Sequence, residues 1–365
     1  SFFAGLVDSE NFKINGGQGD DGQVLTSTGS GVAWEAASGG ATDINGLSDA
    51  KTFGTSSIML GDATTGTIDG ANYNTGLGID VFAALTTGDN NVAVGFAALD
   101  ANTTAANNTA IGSQALTATT TGSNNTAVGQ DAGLAITTGA HNVTIGTKSQ
   151  MTNTTGNYNV SIGKESLKLL TTASNNTALG YVTLQATTTG ADNTAVGANA
   201  LQANTTGHSN TAVGKKALVV STTGSYNTAV GWEAGVGITS GQSNTLMGQA
   251  TGAGITDGES NAFFGMQAGY ATTTGDSNTF LGFRAGDANT TGSTNTAVGR
   301  DALSAATTVS SQTAIGYEAL KVQHTNGNNT AVGYQAGLTV TTGAGNDLFG
   351  FQCGDKITTG YSNII

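Results

Sequence analysis

Asparagine returns every seventeen residues, at 91, 108, 125, 142, 159, 176, 193, 210, 227, 244, 261, 278 and 295, with no insertion or deletion between them. The same frame carries Gln312, Asn329, Asn346 and Asn363. Each repeat opens on a phrase such as Asn125-Thr126-Ala127-Val128-Gly129, and a pair such as Thr137-Thr138 follows twelve residues on. A strict short period is the signature of a stacked solenoid, in which one repeat is one rung that cannot bury its apolar face alone. The chain also has no proline. Proline cannot donate to a ladder, so its absence is expected where nearly every backbone N–H is committed to one. The fold expected is all-β, a parallel β-solenoid or β-roll with 17-residue rungs.

With the Asn as position one, position four is apolar in every regular repeat, as at Val94, Ile111, Val128, Met247, Phe264, Leu281 and Phe349. That column is expected to point inward. Position three, usually Ala, becomes Leu246, Phe263, Phe280 and Leu348 beside bulky position-four residues. A wider lumen or an apolar contact with another chain would explain these residues, and strand alternation, which places position three outside, favours the contact. Position five is always Gly, which marks a corner where the backbone takes positive φ. Position eight is small, and Cys353 falls in it, so this lone cysteine reads as a buried filler. Positions nine and twelve compensate: Leu99 faces Asn102 and Leu116 faces Thr119, whereas Gly133 faces Ile136 and Gly235 faces Ile238. Core volume is thus held roughly constant. Leu167 with Leu170, Gly269 with Thr272, Gly286 with Asn289 and Gln150 with Asn153 depart from the rule. The Asn column, including Asn108, Asn125, Asn142, Asn159, Asn176, Asn193, Asn210 and Asn227, is expected to form a structural amide ladder.

Four regions follow. Residues 1–36 form an N-terminal module, with Gln23–Thr28 and Val32–Glu35 as a β-hairpin about a Gly-bearing turn. Residues 37–56 are a linker and the start of a cap; 57–90 are atypical capping rungs; 91–365 hold sixteen regular repeats. Gly16–Asp21 resembles one unit of a calcium-binding nonapeptide but occurs once, so it reads as a tight loop. Ser1 opens the chain without Met, and Ile365 stops inside a strand, so a longer natural chain is expected.

Composition excludes several classes. A formal charge of −13 argues against nucleic acid and anionic membrane surfaces, which call for clustered Lys and Arg. One Cys excludes an intramolecular disulfide framework, and no apolar run is long enough to insert in a membrane. His141, His208 and His324 occupy different columns, so stacking does not gather them. No nucleophile elbow, phosphate loop or metal-spaced cluster is present, and no cofactor, metal or catalytic residue is expected. Carboxylates at position seven, including Asp131, Glu165, Glu233, Asp301 and Glu318, read as a solvated face.

The phrases Asn125–Gly129 and Asn329–Gly333 resemble the head repeats of trimeric autotransporter adhesins, and the repeat regions of bacteriophage tail fibres. Gly22–Ser27 through Val32–Trp34 is similar to a segment near the attachment parts of such fibres. The resemblance covers about 57–365 for the roll and 16–36 for the hairpin. It implies left-handed rolls packed as an elongated homotrimer. The seventeen-residue period is longer than that of the adhesin heads, and neither a coiled-coil stalk nor a membrane-anchoring barrel is legible, which favours the fibre.

The leading expectation is a structural fibre on a virion tail, extracellular, joined through its N-terminal region to other structural proteins and holding a distal receptor-binding region away from the particle. The alternative is a bacterial surface adhesin whose roll itself binds a host. Position six carries Phe96, Tyr181, Trp232, Phe283, Tyr317, Tyr334 and Phe351, which read either as a glycan surface or as packing at a chain interface. An ice-binding solenoid is the outsider, from the Thr column Thr120, Thr137, Thr154, Thr171, Thr188 and Thr205.

Overall fold

The computed structural model describes residues 13–14, 17–18, 23–27, 32–36, 50–53, 57–61, 70–325 and 327–365. Strands β1 (Lys13–Ile14) and β2 (Gly17–Gln18) pair antiparallel. So do β3 (Gln23–Ser27) and β4 (Val32–Ala36), with Leu25 opposite Trp34, which is the hairpin expected there. The expected linker from 37 and most of the calcium-like loop lie outside the described residues.

β5 (Ala50–Phe53) pairs antiparallel with β6 (Ser57–Leu60), and from β6 onward every neighbour is parallel. β7 (Thr75–Leu77) follows, then one three-residue strand per rung to β23 (Asp347–Phe349). β6 to β23 make a single parallel sheet of 18 strands. Register is fixed at one repeat: Thr126 faces Val143, Ala127 faces Thr144 and Val128 faces Ile145. The protein is a parallel β-solenoid.

Hydrogen bonds between rungs run round the whole perimeter. Gly129 N donates to Ile111 O at 2.8 Å, Leu116 N to Ala132 O at 3.0 Å, Thr120 N to Thr137 O at 3.0 Å and Asn124 N to Ala106 O at 3.0 Å. A proline at any of these positions would delete a rung-to-rung bond, which accounts for their absence. The corners need four positive-φ residues per rung, at positions five, seven, nine and seventeen. Gly129 at position five has φ 135°, Asp131 at position seven 56° and Asn124 at position seventeen 63°. Position nine is filled by Leu at 116, with φ 51°, or by Gly at 133, with φ 61°. Side chains tolerate the other three positions, at a cost, but position five lies in a region essentially reserved for glycine. This explains why position five is always Gly and position seven almost any residue.

The strand orientation is the reverse of that expected. Ala127 at position three and its counterparts have no solvent exposure, whereas Ile111, Leu179 and Phe349 at position four are 40%, 44% and 58% exposed. With three residues per strand, positions two and four share the outer face and position three alone enters the lumen. The lumen is narrow, so its column is mostly Ala, and the larger side chains lie outside. Leu246, Phe263, Phe280 and Leu348 are therefore core residues. They also explain two exceptions to volume compensation: a Cβ on Gly286 would lie 2.5 Å from the Phe280 ring, and one on Gly269 would collide with Phe263. Those two rings stack with centroids 4.7 Å apart and fill the space that Leu or Ile takes elsewhere.

The apolar lumen is not continuous. One cluster runs from Met59 to Ile136 and a second from Leu167 to Leu348. Between them the inward positions are polar. Thr144 Oγ1 donates to Ser149 O at 3.0 Å, Ser149 Oγ meets Ser161 Oγ at 2.6 Å, and Ser161 Oγ meets Ser166 Oγ at 2.9 Å. Gln150 and Asn153, an exceptional pair in the sequence, belong here: Asn153 Nδ2 donates to Gln150 Oε1 at 3.1 Å.

Candidate interaction surface

The Asn column is internal and structural. Asn193 Nδ2 donates to Asn176 Oδ1 at 3.2 Å and to Gly207 O at 2.9 Å, while its own Oδ1 accepts from Asn210 N at 3.0 Å. The bonds from Nδ2 to a carbonyl fourteen residues on and from the next Asn N–H to Oδ1 recur along Asn108, Asn125, Asn142, Asn159, Asn176, Asn210 and Asn227, and the amide-to-amide bond at Asn142, Asn159, Asn176 and Asn210; all are buried, so none of them faces a ligand. Position-thirteen hydroxyls are committed likewise: Thr137 Oγ1 donates to Thr154 O at 3.1 Å. Position fourteen, as at Thr138, Thr155 and Thr172, faces solvent.

Outside the rung, position six divides the seven aromatics singled out from the sequence into two groups. Phe283, Tyr317, Tyr334 and Phe351 come together. Tyr317 stacks on Tyr334 and Tyr334 on Phe351, each pair 5.2 Å between centroids. Arg300 completes the column, its guanidinium 5.6 Å from the Phe283 ring and 5.9 Å from the Tyr317 ring. Equal spacing by seventeen residues in a parallel ladder makes this stack unavoidable. Its consequence is chemical: stacked rings spend their faces on each other and show the outside mostly their edges. Phe96, Tyr181 and Trp232 stand apart, about half exposed, with Ser113, Lys164 and Lys215 among their neighbours in the column.

Beside position six, across the glycine corner, runs the exposed position-four column. It is apolar on every rung from Leu60 to Phe349. Sequence reasoning assigned it to the core because apolar character does not say which side of a strand a residue takes. The available signal was that position four is larger and more variable than the Ala beside it. Position two completes the outer sheet face with Thr, Val or Ala, and its first charge is Asp347. The outer face of the sheet is thus uncharged over sixteen successive strands of an acidic chain.

Charges gather elsewhere. Glu318 at position seven accepts from Lys321 Nζ at 2.6 Å and from Gln335 Nε2 at 2.8 Å, which holds its carboxyl below the ordinary glutamate range and raises Lys321. Burial acts to raise Glu165, but the hydrogen bond and charge of Lys168, with Lys164 beside it, outweigh burial and leave it lowered. Asp100 is raised, first by burial and then by the charge of Asp80. These groups make local surface pairs and do not converge on one cleft. Among the described residues no set of three His, Cys, Asp or Glu side chains is placed to hold a metal ion. His141 stacks on Tyr158 at 4.9 Å and His208 lies edge-on to Tyr226 at 4.8 Å, each pair within the corner columns sixteen and seventeen. Cys353 occupies position eight and is half-buried. Its Sγ lies 3.2 Å from Ile365 O.

The fold and these columns define a β-solenoid repeat protein with a stacked Asn interior and an apolar outer edge. No protein-family model matches the chain, and no curated protein matches its sequence significantly.

Proposed function

We propose that this chain is a structural fibre: a rigid rod, assembled as a homotrimer, that holds a distal receptor-binding region away from a virion tail and joins other structural proteins through its N-terminal region. The observation that carries this reading is the unbroken parallel register of eighteen strands. At about 4.8 Å per rung they make a rod roughly 80 Å long, with bonds between rungs on every side and no hinge sequence inside it. A rod of this kind supplies reach and stiffness, and the reading includes no enzymatic step. The aromatic column favours packing over glycan capture, since stacked rings have few free faces for a sugar. Ice binding is not favoured either, because the position-thirteen hydroxyls donate to the next rung. An adhesin remains the second reading, supported by the exposed rings of Trp232 and Tyr181.

Immunogold electron microscopy of the source particle with antibodies against residues 91–345 tests the fibre. Label along straight projections, with blocked attachment of the particle, is expected. Label confined to a bacterial surface, with glycan binding abolished by Trp232→Ala, would replace the fibre with the adhesin.

A further inference from the structure

We propose that the position-four edge, widened by position six from Met266 to Phe351, is the surface on which copies of this chain associate side by side, all pointing the same way. The inference deepens the fibre reading and rests on it for the number of copies. Three observations carry it. The edge is apolar on every rung, with Met247, Leu281 and Phe349 at 42%, 49% and 58% exposure. An uncovered apolar strip of that length is unusual for a chain that stays alone in water. Second, the outer sheet face has no charge before Asp347 in a chain of net charge −13. It is therefore the face on which two acidic rods approach with least repulsion, and charge depletion marks interface centres. Third, an edge roughly 80 Å long and about 10 Å wide offers on the order of 800 Å² per copy, the size of a standard stable interface.

The occupant is a further copy because the knobs on the edge repeat at the rung spacing, and a matching spacing along the whole length is supplied by another rod of the same pitch. Direction follows from the uneven width. Position six is apolar or aromatic at Met266, Phe283, Tyr317, Tyr334 and Phe351, but after Phe96 reads Ser113, Gln130, Thr147 and Lys164 toward the other end. Parallel copies set aromatic edge against aromatic edge, whereas antiparallel copies would cover the rings with Lys and Gln. Enrichment in aromatics at the wide end suits an interface centre, and Arg300 within it is already paired with Asp301 of its own chain at 3.1 Å.

The test is the mass and shape of the full chain in solution, by light scattering and small-angle X-ray scattering, for wild type, for Leu281→Lys with Ile315→Lys, and for Thr274→Lys with Thr291→Lys. The first pair lies on the edge and the second on the exposed position-fourteen column of the same region. The wild type is expected as an elongated multiple of 36.0 kDa. The edge variant is expected to fall about two- to threefold in mass, to one folded copy, with the Thr variant unchanged. Mass unchanged in the edge variant overturns the proposal. A wild-type single copy that is still rod-shaped also overturns it but leaves the fibre's rod intact; a compact single copy sinks both. Should the Lys variant not fold, Ile315→Cys in a Cys353→Ser background decides. Disulfide formation between copies at 315, absent from Thr291→Cys, is expected, and no crosslink at 315 overturns the parallel edge.

Discussion

Glycine is needed only where φ is near 135°, and side chains are accepted at 56° with some strain. Gly129→Ala is therefore expected to cost at least about 3 kcal/mol, since its Cβ would also lie 2.8 Å from Gly146 C and 2.9 Å from Gly146 O. Gln114, at position seven with φ 60°, has the opposite forecast: Gln114→Gly is expected to raise stability by about 1 kcal/mol by releasing left-handed strain. Denaturant unfolding of both variants checks the pair. Asn193→Ala would leave the N–H of Asn210 without a partner inside the wall and take from Gly207 O one of its two amide donors, the other being Asn204 Nδ2, at a cost of about 2 kcal/mol. The surface carboxylates give smaller effects with opposite signs. Glu318, lowered in the fold, contributes stability that is present at neutral pH and lost as pH falls through its folded value. Asp100, raised in the fold, contributes in the reverse sense, favouring the folded chain as it takes up a proton.

A rung is a weak unit of recognition because its neighbours are nearly identical, so a slip by one whole rung would keep most bonds. The polar set at Thr144, Ser149, Gln150, Asn153, Ser161 and Ser166 breaks this degeneracy, since each member finds its partner only in its own or the adjoining rung. Ser161→Ala is expected to cost about 1 kcal/mol by removing its bonds to Ser149 and Ser166, which keep only the longer bonds to Ser161 O and Ala178 O. Changing Thr144, Ser149, Ser161 and Ser166 together to Ala is expected to be nearly neutral or stabilising in the correctly folded rod, and to increase misregistered product on refolding. Thermal unfolding with refolding yield would separate the two effects. A stabilising quadruple change with undiminished refolding yield would remove the register role.

At the scale of the molecule, length is modular. Deleting residues 193–226, two whole rungs, joins Asp192 to Asn227 in frame and is expected to give a folded rod shorter by about 10 Å. Deleting 193–202 breaks the frame and is expected to abolish cooperative folding of the rungs on one side. Scattering-derived length and β-sheet circular dichroism read both outcomes. Association along the uncharged edge has to overcome the repulsion of rods with net charge −13. Mass at a fixed low protein concentration is accordingly expected to rise between about 10 and 150 mM salt, as the Debye length shrinks from about 30 to 8 Å. A fall over that range would show that opposite charges, not the apolar edge, hold the copies.

The repeat by itself determined the architecture. A seventeen-residue frame with Gly at one fixed place, no proline and an Asn replaced only by Gln312 in the regular repeats leaves a parallel ladder as the arrangement that satisfies the backbone groups, and the aromatic ladder from Tyr317 to Phe351 follows from that frame. What only the tertiary structure decided was the side of the strand. An apolar residue such as Leu281 can be buried in its own lumen or covered by a neighbour, and the pattern along one strand is the same in both cases. Lumen width settles it: the chain closes so tightly that Ala fills the inward place on most rungs, Phe263 and Phe280 fit only against Gly269 and Gly286, and the larger side chains of position four are left on the outer edge.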